Sequence, residues 1–242
     1  MRFLRRGHQH SRDPINRLQP RRWLPLMALS LLSLAGCSHL HDAVPVWGEP
    51  SGMQAKAIFL HSSESQDAAN LNSPDPAKRR WAMLHIMQRG DPAQMAKIRG
   101  MIDWRQESAP LNRALAAEAA RVLNDRDSRD ALIAARNDPV NYVRRQAVRS
   151  LGYLGTNEDG PLIARALAKD DDEDVRLQAV DSLVQLTQQA AIPDLIAALE
   201  DRSQSVRFAA HINLVTLTGV DRGFSRQLWL NWLEPAPVET KK

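Results

Sequence analysis

Asp138-Pro-Val-Asn-Tyr-Val143-Arg144-Arg-Gln-Ala147-Val148-Arg-Ser-Leu151, Asp170-Asp-Asp-Glu-Asp-Val175-Arg176-Leu-Gln-Ala179-Val180-Asp-Ser-Leu183 and Asp201-Arg-Ser-Gln-Ser-Val206-Arg207-Phe-Ala-Ala210-His211-Ile-Asn-Leu214 align without gaps, at periods of 32 and 31 residues. Within each, Val, Ala and Leu recur every four residues, which is the stripe of an amphipathic helix. A second helical stretch precedes each aspartate: Ser128–Arg136, Pro161–Lys169 and Ile192–Glu200. Asp, Ser and Asn cluster at the turns between them, where they cap the following helix and suit its positive N-terminal end. The unit is therefore a helix pair repeated along the chain. One such pair cannot bury its apolar face alone, so neighbouring pairs must stack.

The pattern extends upstream in weaker form. Leu115, Ala119 and Leu123 keep the four-residue spacing 28 residues before Val143, Asp75-Pro76 opens a helix over 79–88, and Asp91-Pro92 opens another over 93–104. About five helix pairs are expected from 75 to 217. Composition agrees: five Thr, two Tyr and four Phe among 242 residues favour helix over sheet.

The Asp-x5-Arg spacing, with Val before the Arg and Ala and Leu after it, resembles HEAT repeats, close to the short bacterial form also found in phycobilisome lyases. That resemblance implies an all-α fold, a right-handed α-solenoid of about five helix pairs spanning 74–233 with a short C-terminal capping helix. It also implies a ladder of Asp and Arg along the stack, here Asp138, Arg144, Asp170, Arg176, Asp201 and Arg207. The two upstream pairs are expected to lack the ladder, because Ala116 falls where the Arg would be. At the end of the chain, Phe224, Trp229 and Trp232 resemble the aromatic caps of such solenoids, with the two Trp at i, i+3 on one helical face. The alternative for these aromatics is a ligand-binding patch. Residues 234–242 are expected to be a disordered tail.

The N-terminus reads as an address. Residues 1–36 hold seven Arg and one acid, so they carry +6 and the remainder −2; a basic, nucleic-acid-binding body is not indicated. Arg21-Arg22 precede the apolar run Trp23–Ala35, too short for a comfortable membrane span but fitting a secretory signal. The run ends in Leu34-Ala35-Gly36-Cys37, which resembles a bacterial lipobox, and Cys37 is the single Cys of the chain. The expected organisation is a signal peptide over 1–36, lipidation at Cys37 with multiple acyl chains for stable anchoring, and a flexible tether over 37–73. Ser38, by resemblance to Gram-negative lipoproteins, implies the outer membrane, facing the periplasm. One Cys also excludes an intrachain disulfide framework.

Reactive constellations are sparse. The seven His are never followed by Glu, so the His-Glu pairs of a HEAT-repeat metal hydroxylase are missing, and His39 with His41 make a weak ligand pair. His211 stands where Val148 and Val180 stand and reads as a core or semi-buried residue. Gly152, Gly155 and Gly160 read as C-cap and turn residues rather than a phosphate loop. The acidic run Asp170–Asp174 lacks the Gly of an EF-hand and leads straight into a helix. Ser150 and Ser182 have no placed His and Asp partners. What remains is a surface on the second helix of each pair, the side that the resemblance implies is concave. Its candidate partner-binding residues are Arg145, Arg149, Tyr153, Gln178, Asp181 and Gln185, followed by Asn213 and Thr216. The expected function is that of a non-catalytic, lipid-anchored envelope protein that binds a protein partner, with no cofactor, metal, nucleic acid or small-molecule substrate. The alternative is a lyase-type or other enzyme-associated HEAT-repeat subunit.

Overall fold

A computed structural model describes residues 63–233. The signal segment, Cys37, nearly all of the expected tether and the 234–242 tail lie outside the described residues. The described residues form eleven α-helices and no strand. In chain order these are α1 (Glu64–Asn70), α2 (Pro76–Arg89), α3 (Met95–Gly100), α4 (Pro110–Val122), α5 (Arg129–Ala135), α6 (Asn141–Leu154), α7 (Gly160–Lys169), α8 (Glu173–Thr187), α9 (Ile192–Ala198), α10 (Gln204–Thr218) and α11 (Arg226–Leu233).

The helices pair as α1/α2, α3/α4, α5/α6, α7/α8 and α9/α10. The long second helices pack in sequence, α2 on α4, α4 on α6, α6 on α8 and α8 on α10. On the other side α7 packs on α9, and α9 on α11. The described residues thus form an all-helical solenoid of five pairs, with α11 packed on α9 after the last pair. Its core is the repeated stripe: Val143, Ala147 and Leu151, then Val175, Ala179 and Leu183, then Val206, Ala210 and Leu214, all buried. Aliphatic burial of this kind contributes about 25 cal/mol per Å² removed from water, and each layer removes its neighbour's apolar face from solvent.

Local chemistry sets the helix ends. Ser63, Asp75, Asp172 and Ser203 each accept a backbone N–H of the first turn with their side chains. Pro occupies the first turn of α2, α4, α7 and α9, where no N–H is needed. Gly219 ends α10 at φ +73°, a left-handed conformation that an L side chain would strain.

Three sequence expectations are corrected. The solenoid starts before residue 74: α1 belongs to it, since Leu71 is in the core and Asp67 is fully buried against His85 and Arg89 of α2. Residues 64–73 therefore belong to the helical stack and not to the tether expected over 37–73. Gly152 is not a turn residue. It lies in the last turn of α6, where a Cβ would come within 2.8 Å of the Ser182 Cβ, so its bare backbone lets α6 and α8 approach. The third correction concerns the ladder.

Candidate functional site

Arg144 donates from Nε and Nη2 to both carboxylate oxygens of Asp170, at 2.9 and 2.8 Å, and from Nη1 to the backbone carbonyl of Asp138 at 3.0 Å. Arg176 does the same to Asp201, at 2.9 and 3.1 Å, and to the carbonyls of Asp170 and Asp171. Each arginine thus closes the turn before its own helix and grips the acid of the next pair. Each acid also accepts the N–H two residues on: Val140 for Asp138, Asp172 for Asp170, Ser203 for Asp201. Bidentate guanidinium–carboxylate geometry makes these strong, directional bonds.

The ladder does not stop at Asp138, as the sequence expectation had it. Arg113 donates to Asp138 at 2.7 and 2.9 Å and to the carbonyls of Glu107 and Ser108. Arg79 donates to Glu107 at 2.6 Å from both nitrogens, and to the carbonyls of Ser73 and Pro74. The upstream repeat is offset by 31 residues rather than 28, which puts Arg113, not Ala116, at the ladder position. The signal was in the sequence as Glu107-x5-Arg113, hidden by Glu in place of Asp and by Asn112 in place of the apolar residue before the Arg. Asn112 is itself buried, donating to the Pro76 carbonyl and accepting from Arg80.

Burial alone would push the Glu107 and Asp170 carboxyls up. The arginine bonds and the backbone N–H outweigh it and hold both below the ordinary carboxylate range. Elsewhere in the stack, Arg99 bridges Asp125 and Arg129 bridges Asp159. Their carboxyls, opposed by the same desolvation, are likewise lowered. The ladder is structural: it joins consecutive pairs, although Arg144 also borders an open cleft beside Asp171 and Asp172.

The second-helix face carries the candidate binding residues. Arg149 is exposed, and among the described residues it has no acid within ion-pair reach. Tyr153 is 51% exposed, with the Arg121 guanidinium 5.2 Å from its ring centroid. Arg145 is partly neutralised by Asp174 at 3.6 Å, and Arg121 by Glu118 at 2.5 Å. Arg121 is a member of this spot that the sequence reading missed, since it lies on a different helix from Tyr153. Gln178 is half-buried and donates to Ser182 on its own helix. Asp181 and Gln185 are exposed. The Asp181 carboxyl is pushed up by desolvation, against the opposing bond from Asn213 of α10. Thr216 turns its hydroxyl back to the Ile212 carbonyl.

Several residues weighed as reactive are absorbed by packing. Ser150 is buried and donates to the Ala117 carbonyl, and Asp172 caps α8. His211 is nearly buried, with Nε2 2.8 Å from an Asp221 oxygen and its ring 4.4 Å from that of Phe224. Trp229 is fully buried, donates from Nε1 to the Gly223 carbonyl at 2.8 Å, and meets Trp232 edge to face at 5.8 Å. Among the described residues no group of His, Cys, Asp and Glu has an arrangement for a metal ion, and no helix is long and apolar enough to cross a membrane.

A family profile described as HEAT repeats matches residues 98–184 and 161–219. No curated protein matches the chain significantly. Among solved structures, the fold is similar to the complex of CpcE and CpcF of phycocyanin lyase from Nostoc sp. PCC7120. The identity is 20% and the TM-score 0.55, over 74% of this chain and 70% of that one. It is also similar to YibA of Escherichia coli, at 18% identity and TM-score 0.52, over 78% of this chain and 71% of that one.

Proposed function

The chain belongs to the HEAT-repeat family, and from that premise we propose that it is a non-catalytic, lipid-anchored envelope protein whose second-helix face binds a protein partner. The observation that supports this most is the distribution of polar groups. The ladder and the helix seams engage most of the buried ones in joining repeats. Arg149 and Tyr153 remain exposed on α6, with the half-buried Arg121 of α4 over the Tyr153 ring. An aromatic ring flanked by guanidinium groups presents amphipathic contact area at low entropic cost, the chemistry enriched at protein interfaces. The anchor rests on the sequence from Arg21 to Cys37, and the outer-membrane placement on Ser38.

The test uses the full chain in cells. Cys37→Ala is expected to leave an unlipidated precursor and release the protein from salt-washed membranes; retention there would sink the anchor. Arg145→Glu with Arg149→Glu is expected to leave the fold intact and reduce recovery of the partner in pull-downs, with a changed salt dependence. Undiminished recovery would remove the basic spot from the binding surface.

A second reading is favoured by one observation, the similarity in fold to the CpcE–CpcF complex. On it the chain is a subunit of an enzyme complex, of lyase type. A pigment absorbance co-purifying with the full chain would favour that reading over the first.

A further inference from the structure

The two layers of the solenoid end differently. The first-helix layer is continued by α11, which packs on α9. Among the described residues nothing continues the second-helix layer beyond α10. Cross-helix contacts define which positions meet the next second helix in the interior. One residue after the ladder arginine, Arg145 reaches Asp174 of α8. Five after it on α4, Glu118 accepts from Gln146 of α6. The same two positions on α10 are Phe208 and Ile212, which are 57% and 47% exposed. Phe224, 51% exposed, stacks on Phe208 with ring centroids 6.4 Å apart, which widens this apolar patch.

The ladder is open at the same end. Arg207 donates from Nη1 to the carbonyls of Asp201 and Arg202, as its four counterparts do to theirs. Those four each place Nε and Nη2 on a carboxylate of the next pair. Among the described residues Arg207 has no such acid. Its fork is oriented by its own turn and lacks only the carboxylate.

We propose that this end of the second-helix layer docks an amphipathic helix of another protein, with a carboxylate in the turn before it. That carboxylate would take at Arg207 the place that Asp201 takes at Arg176. Apolar side chains of the docked helix would cover Phe208 and Ile212. A second copy stacked head to tail through the first described pair does not fit, because that pair offers Ser73 at the acid position. A copy docked α10 on α10 does not fit either, because its Asp201 is already held by its own Arg176. The surface is separate from the Arg149–Tyr153 spot and does not depend on the lipid anchor.

The probe is a fluorescein-labelled peptide copying residues 168–187, the segment that inside the chain brings Asp170 to Arg144 and α8 onto α6. Anisotropy titration with the full chain is expected to show binding. The peptide with Asp170→Asn should bind at least tenfold more weakly to the wild type. Against Arg207→Gln the two peptides should bind alike, which identifies the coupled pair. Ile212→Asp should abolish binding while helicity and melting are retained. No binding, equal binding of both peptides by the wild type, or full binding by a folded Ile212→Asp would overturn the proposal. Two further outcomes would also overturn it. A concentration-dependent dimer in sedimentation that Ile212→Asp dissolves would give the face to a second copy. Peptide binding by a chain ending at Leu233, but not by the full chain, would give it to residues 234–242.

Discussion

Arg113 and Asp138 are the most enclosed rung of the ladder, with side chains 4% and 1% exposed. Removing one partner of such a pair strands the other in a poorly solvated place, which costs more than the pair contributes in net terms. Arg113→Ala is therefore expected to destabilise by about 3–5 kcal/mol. Arg126→Ala, on the exposed turn after α4, should stay within about 0.5 kcal/mol. Urea denaturation of the two variants checks this, and similar midpoints would mean that the rung is not stabilising. Arg113 was also hard to see in the sequence. Its function depends on a carboxylate 25 residues away, and its own turn carries Glu where the three clear repeats carry Asp. A long acid and a short one reach the same fork, so geometry tolerates an exchange that pattern matching does not.

At the scale of elements, the helices follow from short-range chemistry and their spacing from contact. The three quoted repeats become α6, α8 and α10 with the apolar stripe inward, because one helix face holds all the residues that gain by leaving water. Gly152 shows what that stripe leaves out. It sits one residue beyond the repeated Leu, where α8 has Val184 and α10 has Val215. Gly152→Ala is expected to cost about 1–3 kcal/mol through overpacking against Ser182, despite the better helix propensity of Ala. A variant as stable as the wild type would show that α6 and α8 can separate freely. At the other end, Trp229→Ala should cost about 3–5 kcal/mol by emptying the space beneath α11. Trp229→Phe should recover most of this, losing chiefly the bond to Gly223, about 0.5–1.5 kcal/mol. Calorimetric melting of both variants distinguishes a packed cap from a loosely attached helix.

For the whole molecule, the rungs make stability depend on acidity. The folded-state carboxyls of Glu107, Asp125, Asp159 and Asp170 lie below their ordinary values. A depressed carboxyl contributes stability that is fully present above its unfolded pKa, about 4, and is lost as pH falls through the folded value. The urea midpoint should therefore hold near neutrality and drop below about pH 4. Asp170→Asn should start lower at pH 7 and drop less, because it has one fewer carboxyl to protonate. Parallel curves for the two proteins would remove Asp170 from the linkage. Asp181 works against this trend, since desolvation raises its carboxyl and favours the protonated form. In a stack where each pair touches only its neighbours, a lost rung weakens one junction. The acid transition is then expected to broaden in the variant, which circular dichroism at several pH values can follow.

The sequence by itself determined the helix pair, its period and its stripe, because these rest on residues three, four and about thirty-one apart that share one chemistry. It also marked the acidic turns, the ladder arginines of the last three pairs and the aromatic terminal helix. Only the tertiary structure decided that the ladder runs back to Arg79, that α1 is part of the stack, and that Arg121 joins Tyr153. Each of those is a contact between separate helices, set by register and approach rather than by any local pattern. The same holds for the ends of the stack. Phe208 and Ile212 read in sequence as ordinary members of a repeat, and Arg207 as one rung among several. Whether a repeated position is covered depends on whether a neighbour follows it, and a periodic pattern is blind to where its own covering stops.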